Sequence, residues 1–462
     1  MTEKASGPGF RAYYALAALL IGLTLGAMSG GIAQGPRGDL LAVAGFVGTL
    51  WLNALKMTVI PLVVALLVVG IAKSAEAAMG GRIAGRSVLW IVIICTLSSV
   101  LGAVLLVLLT RIFPLAQSTA AGLQSALAGV EQKTSTPLPG IADFFKGVVP
   151  DNVFAAATNG DILPLVVFAV LFALALGKIS AEGRRSVVWL FEAIADALIV
   201  IIAWVLVIAP LGVLALAFTV GSAAGGAAFA GLGHYVVLIS AIGIVVTLLG
   251  YPLAVIAGRV SLTTLARGLI PPQAVAISTR SSLASLPAML TATRAMGVRE
   301  QVADVTLPIS VALFRATGPA MNTAVAFYVA HWLGYEPTLA QMIAATAVGA
   351  VMSYGAVSLP GEVSFISSIA PIALALGVPI APLGLLVAVE MIPDIFRTVG
   401  NVTLDVALAT VVDKSAGNAS ESWTPADHRS SVRPVTNGVC RRADSAPLPV
   451  EERATSTPLS EH

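Results

Sequence analysis

Eight apolar stretches, at roughly 12–33, 45–72, 86–113, 160–177, 187–219, 234–258, 302–333 and 383–413, have the length of a membrane-crossing segment. A helix needs about 20 predominantly apolar residues to span a bilayer. Only 11% of the 462 residues are charged and 57% are hydrophobic, whereas a soluble domain carries about 25% charged residues. The chain therefore reads as an all-α integral membrane protein. A net charge of +2 without a basic, aromatic-interleaved run gives no footprint for nucleic acid. Cys95 and Cys440 make neither a disulfide framework nor a zinc spacing, and four scattered histidines do not suggest a metal site.

Two further apolar regions, around 268–296 and 341–379, are interrupted in the middle by Ser, Gly and Pro. The interruptions read "STRSSLASLPAML" (Ser278 to Leu290) and "SYGAVSLPGEVSF" (Ser353 to Phe365). Non-helical backbone at membrane depth must be buried in protein or line a watery cavity. These regions are thus expected to be re-entrant helical hairpins, the alternative being two kinked helices. The N-terminal run after Lys4 and Arg11 is long for a signal sequence and is expected to stay as the first helix. Residues 415–462 are polar and Ser/Pro-rich, and read as a disordered tail.

Basic residues orient the spans. Lys73, Arg82 and Arg86, then Lys178, Arg184 and Arg185, then Arg259 and Arg267, then Arg294 and Arg299 all fall on one side when both termini are cytoplasmic. The first hairpin then enters from the cytoplasm and the second from outside. The two hairpins echo each other, "ASLPAM" (284–289) against "VSLPGE" (357–362), and each precedes a helix with a second echo, "LFRATGP" (313–319) against "IFRTVGN" (395–401). Entering from opposite sides, the copies form inverted repeats. With their interrupted helices, they fit the plan of secondary transporters, whose site lies at the repeat interface.

The last span carries Glu390, Asp394, Arg397, Asn401 and Asp405, which share an arc of about 80° over roughly 22 Å of helix. Charges inside a membrane usually mark a pathway or site. A set of ion pairs bracing the helices is the alternative, but a brace does not require the extra carboxylate. Arg397 offers a planar fork for a carboxylate. Asp394, one turn away, can hold an ammonium, and Asn401 and Asp405 are hard oxygens of the kind sodium prefers.

These residues bring out a resemblance. "LKMTVIPLVVALLVVGI" (Leu55 to Ile71), "NGDILPLVVFAVLFALALG" (Asn159 to Gly177), "TRSSLASLP" (Thr279 to Pro287) and "DIFRTVGNVTLD" (Asp394 to Asp405) make the chain similar to the dicarboxylate/amino-acid:cation symporters, from the first span to about Lys414. The resemblance implies eight transmembrane helices plus two re-entrant hairpins working as an elevator, in a homotrimer in a bacterial inner membrane. Residues 1–11 would be a cytoplasmic N-terminus and 12–258 helices 1–6. Of these, helices 1, 2, 4 and 5 would form the scaffold while 3 and 6 move with a transport core over 259–414. Matched position by position, Arg280, Ser281 and Ser282 form the first substrate-contacting tip, and Pro360 and Gly361 the second, gating tip. Asp394 holds a substrate amine, Arg397 an acidic side chain, and Thr398 and Asn401 add contacts. Asp405 is a sodium ligand. An acidic amino acid or a dicarboxylate is the implied substrate, with no cofactor beyond a coupling cation.

One departure bears on that cation. The family's seventh helix breaks at Asn-Met-Asp-Gly-Thr, which falls here on "FRATG" (Phe314 to Gly318). Gly318-Pro319 is expected still to break the helix, but the Asn and Asp are gone and Arg315 replaces the Met. Glu362 in the second tip is a second departure, and with Glu390 it joins Arg315 as a residue expected to modulate coupling. Fewer sodium ions, or a proton, are therefore expected. An enzyme would need a nucleophile–base constellation, and no histidine lies in a span near Ser281 or Ser285. An exchanger or an anion-conducting channel of the same fold is the alternative function.

Overall fold

The computed structural model describes residues 8–31, 34–116, 119, 121, 148–355 and 361–415, and among these the regular structure is helical throughout. The chain opens with α1 (Pro8–Met28), α2 (Gln34–Met79), α3 (Arg82–Ile112), α4 (Val153–Asn159), α5 (Ile162–Leu176), α6 (Ala181–Val207), α7 (Ala209–Ala224) and α8 (Gly226–Pro252). It continues with α9 (Leu262–Thr279), α10 (Ser282–Ala295), α11 (Glu300–Leu313), α12 (Thr317–Trp332), α13 (Leu339–Gly355), α14 (Gly361–Leu376), α15 (Leu383–Val389) and α16 (Met391–Ser415). Among the described residues, five helices are long and apolar enough to cross a membrane: α2, α3, α6, α8 with its π-helical extension to Ala257, and α16. Beyond Ser415 the tail lies outside the described residues.

Several expected spans are divided, each for a backbone reason. The run at 187–219 is two helices that meet at Ile208, because Pro210 in the first turn of α7 cannot donate to the carbonyl of Leu206. The run at 302–333 breaks between α11 and α12, with Phe314 extended (φ −102°, ψ 101°). Here the expectation needs correcting: Gly318 and Pro319 sit inside the first turn of α12, so the break is at 314–316. A proline in a first turn lacks only an N–H that has no helical partner, so Pro319 starts the second helix and leaves the gap before it. The run at 383–413 is interrupted at Glu390, where Pro393 leaves the Val389 carbonyl without its helical donor. In contrast, α2 begins at Gln34, well before the expected position 45. Arg37 secures that start, its Nη2 donating to Ser222 Oγ (2.8 Å) and to the Ser222 carbonyl (3.1 Å) on α7.

Both interrupted regions form helical hairpins. α9 and α10 pack on each other across a two-residue tip, where Arg280 takes a left-handed conformation (φ 50°) and Ser281 caps α10 by accepting from Ala284 N (3.2 Å). That cap starts α10 early, so Ser285-Leu286-Pro287 lies within the helix and not at the tip. α13 and α14 pack likewise, and the residues joining them, 356–360, lie outside those described.

The hairpins and α3 and α8 surround two buried helices, α12 and α16. Their approach is close where glycine allows it: a Cβ on Gly102 of α3 would run into the backbone of Ala320 on α12. Small residues also let α1 and α7 meet at Gly22, Gly26 and Gly221, the packing device of helices in lipid. The outer surface is apolar, as on α6 with exposed Trp189 and Trp204.

Candidate functional site

At the centre, α16 meets the α11–α12 break. Thr317 N donates to Asn401 Oδ1 (3.0 Å), and Thr317 Oγ1 lies 2.6 Å from the same oxygen and 2.7 Å from the Arg397 carbonyl oxygen, sharing its proton. Ser98 of α3 donates to the carbonyl of Ala316. A helix break leaves N–H and C=O groups without helical partners; side chains of α3 and α16 satisfy some of these and so fix the break against α16.

The charges gather around this junction. Arg397 Nη1 pairs with Glu390 Oε1 and lies 3.2 Å from Asp394 Oδ1. Tyr235 of α8, fully buried, donates its hydroxyl to Glu390 Oε2 (2.8 Å). Arg280, at the α9–α10 tip, places Nη1 3.8 Å from Asp394 Oδ2, within ion-pair distance but beyond a hydrogen bond. Arg397 Nε and Nη2 are buried and have no hydrogen-bond partner among the described residues. One edge of the guanidinium, the one that accepts a carboxylate side-on, is therefore unused.

Arg315 stands in the break, its Nη1 3.3 Å from Ser364 Oγ on α14 and its charge in range of Asp394, Arg397 and Asp405. Asp405 is 0% exposed, and neither of its oxygens has a hydrogen-bond partner among the described residues. The three carboxylates Glu390, Asp394 and Asp405 are thus matched by Arg280, Arg315 and Arg397. The carboxylate that looked superfluous on α16 alone has its counter-charges on other elements.

The structure brings Arg280, Glu390, Asp394, Arg397 and Asn401 into one connected set, with Arg315 and Asp405 beside it. Thr398 Oγ1 donates within its own helix to the Asp394 carbonyl (2.9 Å), and Ser281 is engaged as a cap. Ser282 opens α10 and Gly361 opens α14; Pro360 lies outside the described residues, as does the side chain of Glu362. Sequence reasoning missed Tyr235, Thr317 and Ser364. Tyr235 carried a usable signal, since a phenol in an apolar helix needs a partner for its hydroxyl.

Comparison with known proteins shows the family. The sodium:dicarboxylate symporter family matches residues 15–415. A proton/sodium-glutamate symport protein of Bacillus subtilis (strain 168) is 29% identical over 411 residues, covering 86% of this chain and 92% of the relative. A proton/glutamate-aspartate symporter of Escherichia coli (strain K12) is 29% identical over 385 residues, 79% of this chain and 84% of its own. C4-dicarboxylate transport protein 2 of Ralstonia nicotianae is 29% identical over 406 residues, 86% and 87% of the two chains. With the match running from α1 to the end of α16 and through both hairpins, the chain belongs to the sodium:dicarboxylate symporter family.

Proposed function

We propose that this protein is a secondary active transporter that imports an acidic amino acid, aspartate or glutamate, or a C4-dicarboxylate, coupled to a proton or sodium gradient. The observation that carries this reading is the unused edge of Arg397, two buried N–H groups side by side with no partner. A buried donor left unsatisfied costs about 1–3 kcal/mol, more when charged, and a substrate carboxylate removes that cost with two parallel hydrogen bonds. Asp394 Oδ2, 3.8 Å from Arg280 and outside hydrogen-bond range, is the acceptor for a substrate ammonium. The names of the relatives, glutamate, glutamate-aspartate and C4-dicarboxylate carriers, support the same substrate class.

In this reading the α9–α10 tip (Arg280, Ser281, Ser282) and the second, gating tip that the resemblance assigns to Pro360 and Gly361 enclose the substrate from opposite sides as re-entrant hairpins, and Thr398 and Asn401 line it. Eight membrane-crossing units result: α1, α2, α3, α4–α5, α6–α7, α8, α11–α12 and α15–α16. The core from α9 to α16, with α3 and α8, moves as an elevator against α1, α2 and α4–α7 in a homotrimer in the inner membrane. Uptake into proteoliposomes tests the function, using acidic and neutral amino acids and C4-dicarboxylates with and without sodium and pH gradients. Saturable uptake of an acidic substrate driven by one of the gradients is expected. Preference for a neutral amino acid, or flux that does not saturate, would overturn the reading.

A further inference from the structure

Asp405 poses a specific electrostatic problem. It is fully buried, and neither carboxylate oxygen is hydrogen-bonded. A buried carboxylate with no hydrogen bonds persists only beside a compensating charge. Asn401, one turn earlier on α16, does not help to hold a cation there, because its Oδ1 already accepts from Thr317 N and shares the Thr317 hydroxyl proton. Thr317 in turn lies two residues after Arg315, so the bond that fixes the break to α16 also fixes the backbone from which Arg315 extends. The charge of Arg315 acts on Asp405, and its Nη1 is steadied by Ser364 of α14.

We infer that Arg315 is the built-in counter-charge of Asp405, a tethered cation in the position that a coupling sodium ion would otherwise neutralise. The guanidinium is present in every step of the cycle and is not released with substrate. A sodium ion brought within about 5 Å of it would bind more than roughly 100-fold more weakly at an effective dielectric of about 20. Sodium is thereby kept from Asp405, and coupling falls to another cation, the proton being the one that the dense carboxylate set of this site can carry. Ser364 of α14 ties the tethered charge to the second hairpin, so the charge also reports on the position of that hairpin.

The substrate arm of the test rests on the transport reading above; the sodium arm does not. Full-length protein in detergent is melted in sodium chloride and in choline chloride of equal ionic strength, and its affinity for aspartate and succinate is measured in both. The wild type is expected to melt at the same temperature in the two salts and to bind with affinities within about twofold. Arg315→Met leaves Asp405 unmatched and is expected to lower the midpoint and weaken binding about 30-fold or more. Arg315→Met with Asp405→Asn restores the balance and should recover binding to within about fivefold of wild type. A sodium-specific rise in the wild-type midpoint, with affinity climbing steeply with sodium, overturns the inference. So does a double variant no better than the single one. If neither aspartate nor succinate binds in any salt, the substrate reading fails, and the inference is judged on the melting midpoints of the three proteins.

Discussion

Arg397 divides its guanidinium between two tasks. Nη1 is held by Glu390 and Asp394, while Nε and Nη2 have no hydrogen-bond partner among the described residues and, in the proposed reading, receive the substrate carboxylate. Arg397→Ala should therefore abolish binding of acidic substrates, and should leave the proposed trimer assembled. Loss of one partner of a desolvated charge pair costs about 2–5 kcal/mol, roughly 30-fold or more in affinity; isothermal titration with aspartate checks this, and unchanged affinity would reject the assignment. Arg397→Lys should fail nearly as badly, since an ammonium keeps the charge but cannot present two parallel donors. Tyr235→Phe should behave differently. It strips Glu390 Oε2 of its donor inside the protein, a loss of about 1–3 kcal/mol, and should lower the melting midpoint more clearly than substrate affinity. At this scale the α16 residues were legible because five polar side chains on one face of an apolar helix are conspicuous. Arg280 and Arg315 were legible through the family resemblance, but Tyr235 and Thr317 were not, because they come from α8 and from the start of α12, and nothing in their local sequence points to α16.

At the scale of elements, the positions of the interruptions carry the architecture. Hydropathy located the apolar runs, and Ser/Gly/Pro clusters located the hairpins. Where a helix stops inside a run depends on single residues whose effect is local: Pro210 divides one span, Pro393 loosens another at Glu390, and the cap at Ser281 sets the first tip before Ser285-Leu286-Pro287. The Phe-Arg echoes are likewise alike in sequence and unlike in place, since Arg315 lies in a break and Arg397 lies within α16. Close helix contact is another feature that periodicity does not reveal. Gly102 lets α3 touch the backbone of α12 beside the break, and a side chain there forces the helices apart. Gly102→Ala should destabilise the protein by about 1–3 kcal/mol, the usual cost of overpacking, and slow transport. Gly45→Ala on α2, with nothing within 4 Å of the added methyl, is the matched control. Equal melting midpoints for the two variants would show that the α3–α12 contact is not limiting.

For the whole molecule, the loops assigned to one side by their basic residues come together at one end. Arg86 at the start of α3 donates to the carbonyl of Ser415, and Arg299 before α11 places Nε 2.7 Å from Asp413 Oδ1. Gly258, at the end of α8, lies against Thr410. Three loops with Lys/Arg excess thus surround the C-terminal end of α16. At the other end of α3, the carbonyl of Phe113 lies 2.8 Å from His234 Nε2 on α8. By the positive-inside rule we propose that the α16 end is cytoplasmic, and the two cysteines test this without any engineering. Cys95 is 0% exposed within the helical core, whereas Cys440 belongs to the polar tail that follows α16. A membrane-impermeant maleimide should therefore leave the protein unmodified in right-side-out spheroplasts and add one label per chain in inside-out vesicles. Cys440→Ser should remove that label, and detergent short of unfolding should not expose a second. Labelling of Cys440 from outside would invert the topology.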